Sequence, residues 1–185
     1  MKILITGANG QLGKDTTNLC RKYGHDVTAW TSKDLDITKY DVVTETIQNL
    51  QPDIIINCAA YNAVDLAETE YEKAFLVNGI GPKNLSLAAN KVNASLVHYS
   101  TDYIFNGKSS RPYTIADHPD PLSRYGESKL LGEQEVMRHA TRYYLIRVSW
   151  VFGSGNINFV KKVLEWSDKS NIITVVDDQI ASPTY

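Results

Sequence analysis

The segment Gly7-Ala8-Asn9-Gly10-Gln11-Leu12-Gly13 constrains this chain more than any other. It follows a short apolar run, Lys2–Thr6, that reads as a strand. It opens a helical pattern over Gln11–Tyr23, in which Leu12, Thr16, Leu19 and Tyr23 recur near a helical period. A strand that turns on glycines straight into a helix presents free N–H groups and the positive end of a dipole to an anion. The glycines permit the tight turn and let backbone approach a pyrophosphate. Gly7, Gly10, Gln11, Leu12 and Gly13 are therefore candidate contacts to a dinucleotide. The spacing is G-x-x-G-x-x-G, which departs from the simpler G-x-G-x-x-G fingerprint.

The rest of the chain keeps the same alternation. Strands are expected at Asp26–Trp30, Asp53–Asn57, Ser95–Ser100, Tyr144–Ser149 and Ile172–Val176. Between them lie helical patterns at Tyr40–Leu50, Glu68–Lys91, Ser123–His139 and Asn158–Asp168. The run Ile54-Ile55-Ile56 suggests a strand buried on both faces. The long Glu68–Lys91 pattern is one helix or a broken one, since Gly79, Gly81 and Pro82 interrupt it. This order predicts the α/β class, a Rossmann-like, doubly wound parallel sheet with helices on both faces. At 185 residues the chain makes one such domain, residues 1–185. A loop rich in Gly, Ser, Pro and Asp, residues 106–120, is long enough that it is either functional or disordered.

Composition narrows the function. The formal net charge is −2, which argues against a nucleic-acid-binding domain, because those carry a basic excess. No apolar run approaches the ~20 residues of a membrane span, and the first residues do not read as a signal peptide. Cys20 and Cys58 lack metal or disulfide spacing and read as buried free thiols in a reducing, cytoplasmic setting. No metal site is expected.

Three further segments carry chemistry. The second strand ends Trp30-Thr31-Ser32-Lys33, with no carboxylate at Trp30 to bond a ribose 2′-OH. Thr31, Ser32 and Lys33 either meet the 2′-phosphate of NADPH or form an ordinary solvated turn. Asp36 and Ile37 follow where adenine would lie; the alternative is that Asp36, or Thr38, caps the next helix. Small residues around Ala60, after the third strand, allow close approach of a cofactor, with Tyr61 and Asn62 beside it. Tyr125 and Lys129, four apart on a helix, share a face. The ammonium there would favour the phenolate and lower the tyrosine pKa. Thr101 and Asp102 close the fourth strand, and ligands of open α/β sheets bind at carboxyl ends of strands. Thr101 either bonds a substrate carbonyl with Tyr125 or only turns the chain; Asp102 bonds a sugar hydroxyl or orients the loop.

These motifs, with the glycine spacing, point to the short-chain dehydrogenase/reductase type. The chain resembles the dTDP-4-dehydrorhamnose reductase family, extended members of that group. The likeness runs through Thr6–Gly13, Ile56–Asp65, His98–Phe105, Tyr125–Lys129, Arg147–Phe152 and Asp178–Thr184. It implies reduction of the C4 keto group of dTDP-4-dehydro-L-rhamnose by NADPH or NADH, giving dTDP-L-rhamnose for cell-surface polysaccharide synthesis. It implies Thr101, Tyr125 and Lys129 as the catalytic group. Tyr125 would donate the proton, and Lys129 would also bind the nicotinamide ribose. Thr101, Asp102 and Trp150 would contact the sugar nucleotide; for Trp150 the alternative is a core aromatic.

Departures from the family qualify this. Asn62 stands where Thr is frequent, and Trp30 where some members carry an acid. The family continues well past Tyr185, so its C-terminal substrate region is expected to be largely absent. That region takes part, in some members, in a magnesium-assisted homodimer. The 185-residue chain is thus expected to bind dinucleotide with little turnover. Two other readings are a nucleotide-sugar epimerase or dehydratase, and a binding protein akin to the methionine adenosyltransferase regulatory subunit. Thr101 is followed by Asp102-Tyr103 rather than the Asp-Glu of such dehydratases.

Overall fold

A computed structural model describes residues 1–153 and 158–185. The elements are β1 (Lys2–Thr6), α1 (Gln11–Lys22), β2 (Asp26–Trp30), α2 (Tyr40–Leu50), β3 (Ile54–Asn57), α3 (Tyr71–Phe75), α4 (Gly81–Lys91), β4 (Ser95–Thr101), α5 (Arg124–His139), β5 (Tyr143–Val148) and α6 (Phe159–Ser167). The five strands form one parallel sheet in the order β2-β1-β3-β4-β5. The expected Rossmann-like α/β fold is present.

Alternation along the strands sorts the core into two layers. Leu4, Ile55 and Leu96 pack against Val43 and Ile47 of α2, Leu85, Ala88 and Ala89 of α4, and Val136 of α5. Ile3, Ile5 and Ile56 face the other way, toward Cys20 of α1 and Cys58. The triple isoleucine of β3 is therefore used on both faces. Both thiols are free and half-buried, and burial pushes Cys58 up to about 12.

The long helical pattern is broken. A 3₁₀ turn at Asp65–Glu68 precedes α3, which passes through a π turn at Leu76–Ile80 into α4. The glycines let this turn pack closely on its neighbours. A side chain at Gly79 would meet Leu131 of α5, and one at Gly81 would lie 2.5 Å from Ile37. Pro82 follows the π turn directly, in the first turn of α4.

The sixth strand does not form. Residues 172–176 join no ladder, and Ile172, Val175 and Val176 are exposed. A β-branched run fits a half-buried pleated surface but needs a partner edge. The prolongation of β5 is met instead by residues 182–184, through a Val151–Thr184 bridge and a Ser149 hydroxyl bond to the Ser182 carbonyl. Loop 106–120 is closed on itself. Phe105 stacks on Tyr113 at 4.2 Å, Arg111 pairs with Asp117, and Asn106 bonds Asp120. No described helix is long and apolar enough to cross a membrane.

Candidate active site

The glycine turn is built as a cradle. Gly7 adopts φ +66°, a left-handed conformation that favours glycine. A Cβ there would lie 2.5 Å from the Ala59 nitrogen, and one on Gly13 would strike the Gly7 carbonyl. The turn therefore presses β1, the start of α1 and the end of β3 together with no room for side chains. Gly10 occupies the N-cap of α1 without a side-chain cap.

Above this cradle a groove of about 360 Å³ runs over the carboxyl ends of the strands. Gly10, Gln11, Leu12, Ala60, Asn62, Thr101, Asp102, Tyr125, Lys129 and Trp150 all reach it. The sequence candidates from the phosphate turn, the Ala60 segment, the end of β4 and α5 are thus brought to one place. Gly7 and Gly13 back the turn from beneath. The amide of Gln11 also ties Val151 into the wall, donating to its carbonyl at 3.1 Å.

Two expectations, for Ile37 and Tyr61, are corrected, and so is the alternative reading of Asp36 as a helix cap. The Ile37 side chain is buried in the core against Gly81, so it does not stack on an adenine. The exposed Asp36 does not cap α2; its carboxylate accepts from the Thr38 amide and hydroxyl at 3.0 and 2.7 Å, and Lys39 holds the N-cap. The Tyr61 ring turns away from the groove, its hydroxyl bonding Glu70 at 3.1 Å. Trp150, by contrast, is not a core aromatic. It is 41% exposed in the groove wall, packs on Phe159, and has φ +47°, which is rare for a bulky residue and costs backbone strain.

The electrostatics of the pair on α5 also differ from expectation. Ser123 caps the helix, accepting from the Gly126 amide, and so sets the first turn that carries Tyr125. Burial raises the Tyr125 phenol above its ordinary value, and a hydrogen bond with Thr101 opposes that only in part. The Lys129 ammonium donates to the Tyr99 carbonyl at 2.7 Å. Burial pulls Lys129 itself down to about 8, against the upward pull of Glu133. Burial likewise raises Asp102, whose carboxylate accepts from the Thr101 hydroxyl at 3.1 Å. Tyr125 therefore rests as a protonated phenol, held edge-on to Tyr103 at 5.6 Å.

Sequence reading missed the polar groups that hold the site together. Asn57 accepts from the Thr6 hydroxyl at 2.7 Å and the Ala59 amide at 3.1 Å, and its amide nitrogen faces Nδ1 of His98 at 3.1 Å. The ends of β1 and β3 and the middle of β4 are joined by this one side chain. Burial, with the Lys129 charge nearby, keeps His98 neutral. Asn78, in the π turn, accepts from the Tyr61 amide at 2.8 Å and donates to the Tyr61 carbonyl at 3.0 Å and the Ser128 hydroxyl at 2.9 Å. It clamps the Ala60–Asn62 segment onto α5 between Tyr125 and Lys129. The available signal was a lone Asn closing an apolar strand, and another in a glycine-interrupted helix.

Among the described residues no cluster of His, Cys, Asp or Glu could hold a metal.

The sheet order, the glycine cradle and the Tyr125/Lys129 helix together define a dinucleotide-binding fold of the short-chain dehydrogenase/reductase type. The family described as "RmlD substrate binding domain" matches residues 1–185. The chain belongs to this family. It is 42% identical over 184 residues to the spore coat polysaccharide biosynthesis protein SpsK of Bacillus subtilis, covering 100% of this chain and 65% of that protein. It is 41% identical over 186 residues to dTDP-4-dehydrorhamnose reductase of Mycolicibacterium smegmatis, covering 100% and 56%. Among solved structures, dTDP-4-dehydrorhamnose reductase from Bacillus anthracis in complex with NADP superposes with a TM-score of 0.96 at 42% identity, over 100% of this chain and 66% of that one. The chain thus spans less than two thirds of the length of these curated relatives.

Proposed function

We infer that residues 1–185 are the NAD(P)-binding domain of a dTDP-4-dehydrorhamnose reductase, which reduces the C4 keto group of the dTDP-sugar. The observation that carries this reading is the convergence of Thr101, Tyr125 and Lys129 on the groove that begins at the Gly10–Leu12 turn. The donor set fits a dinucleotide: Gly7 and Gly13 let the turn close on its own backbone and on Ala59, and Gly10 leaves the start of α1 open to the groove without a side-chain cap, where a pyrophosphate would approach. Bound there, the nicotinamide supplies hydride. The chain's own residues do the rest. Tyr125, protonated at rest, is poised to give its phenolic proton to a carbonyl oxygen, and a raised pKa suits a donor. Thr101 holds the phenol beside that oxygen, its own hydroxyl donating to Asp102. Lys129, largely ammonium at neutral pH, offers charge and N–H donors to a ribose. Asp102 and Trp150 flank the open side, where the sugar nucleotide would lie.

Relatives named dTDP-4-dehydrorhamnose reductase at about 40% identity support this reading over an epimerase or a binding protein. The test is NADPH consumption with dTDP-4-dehydro-L-rhamnose, using the natural full-length protein. Stoichiometric oxidation of NADPH is expected. Sugar conversion without net NADPH loss would indicate an epimerase or dehydratase instead, and binding without conversion a regulatory protein.

For the cofactor, NADPH is favoured at least equally with NADH. Thr31 is occupied, its amide and hydroxyl both held by Asp34 at 2.8 Å. The exposed Ser32 and Lys33 are then the groups left for a 2′-phosphate. Fluorescence titration should show Lys33→Ala lowering NADPH affinity while sparing NADH; an unchanged ratio would remove Lys33 from the site.

A further inference from the structure

The buried charges of the site continue beyond Lys129. One helical turn further along α5, Glu133 is completely buried. Arg147 of β5 grips it with both ends of its guanidinium, Nε to Oε1 at 2.9 Å and Nη2 to Oε2 at 2.7 Å. The same guanidinium lies over the Phe105 ring at 5.3 Å, and Phe105 stacks in turn on Tyr113. The carboxylate is therefore held between its own helix and β5, and the loop that leaves β4 packs on the guanidinium that grips it.

Such a pair is a poor device for stability alone. Desolvation of both ions offsets most of their attraction, and apolar residues of similar shape often serve as well. What the carboxylate has within reach is Lys129, four residues earlier on the same helix face. The other groups about Lys129 are the Tyr99 carbonyl and the neutral His98 from β4, Asp102 from the end of that strand, and the uncharged Tyr125 from α5. Asp102 is itself raised by burial, and it opens on the groove rather than beneath the ammonium.

We propose that Glu133, clamped by Arg147, is a positioning residue that holds Lys129 as a cation beneath the cofactor groove. Burial alone drives Lys129 toward the neutral amine, and Glu133 is the group that opposes it. The two hydrogen bonds from Arg147 fix where the carboxylate sits relative to Lys129. The inference rests on the reading of Lys129 as a cofactor-facing ammonium.

The test reads Lys129 directly, without cofactor. In the 185-residue chain the lysine ¹³Cε signal of Lys129 is followed against pH by NMR, with Lys129→Met identifying it. Glu133→Gln should lower its midpoint from about 8 by about one pH unit. The sign separates charge from structure. If Glu133→Gln merely loosened α5, water would reach Lys129 and its midpoint would rise toward 10.5. The double variant Glu133→Gln/Arg147→Met does not strand the Arg147 guanidinium, so it keeps the question open to measurement if the single variant unfolds. Its Lys129 midpoint should fall as well. An unchanged or raised midpoint in the folded variant overturns the proposal. Parallel calorimetry of NADPH binding to the unaltered chain tests the underlying reading separately, because loss of binding there would not depend on Glu133.

Discussion

Replacing Asn78 by alanine should uncouple the cofactor segment from the catalytic helix. Asn78 is 1% exposed and makes three hydrogen bonds, two to the Tyr61 backbone and one to Ser128. Each is worth about 1 kcal/mol net, and more if the Tyr61 amide is left buried without a partner. Tyr61 is only half-buried, so water recovers part of that loss. The expected cost is about 2–3 kcal/mol, a large share of a stability that is typically about 5–15 kcal/mol. With a urea m-value of about 2–3 kcal/mol/M, the unfolding midpoint falls by about 1 M with m unchanged. NADPH affinity should fall in the same variant, because Ala60 and Asn62 stand in the groove on either side of Tyr61. Asn78→Asp should rescue little, since it keeps the acceptor for the Tyr61 amide but sets a carboxylate against the Tyr61 carbonyl. A midpoint within about 0.2 M of the unaltered protein, together with unchanged NADPH affinity, would refute the clamp.

Three further outcomes follow from the same geometry. Tyr125→Phe in the full-length protein should lower turnover by about 10²–10⁴-fold with little change in NADPH affinity, since the ring survives and only the proton donor is lost; steady-state kinetics would read it. Gly13→Ala should cost about 1–3 kcal/mol and at least tenfold in NADPH affinity, because the new Cβ meets backbone of Gly7 and Ala8 that cannot yield; calorimetry and urea unfolding would show both. Lys129 titrates near 8 when folded against 10.5 unfolded, so between those values the unfolded chain holds the extra proton and stability rises with pH. A difference of about 2.5 pH units corresponds to an upper limit of about 3 kcal/mol. Unfolding compared between the unaltered chain and Lys129→Met across that window should show the gain only in the former.

The local elements were legible in the sequence because their causes are local. Glycine spacing after a short strand needs only backbone geometry, and the Tyr125/Lys129 pair needs only the helical period. The triple isoleucine announced a central strand. The tertiary structure decided matters that depend on distant partners. Ile172–Val176 has the composition of a strand, but no edge receives it. Ile37 sits in a segment that suggested an adenine contact, yet Gly81, forty-four residues later, opens a core space that takes its side chain. The phenol of Tyr125 was expected to be lowered by Lys129, but the depth of the site and the Tyr99 carbonyl redirect both groups. Asn57, Asn78 and the Glu133–Arg147 pair were invisible for the same reason. A buried polar side chain is defined by the partners that satisfy it, and, the Ala59 amide apart, those partners lie between 14 and 51 residues away in the chain.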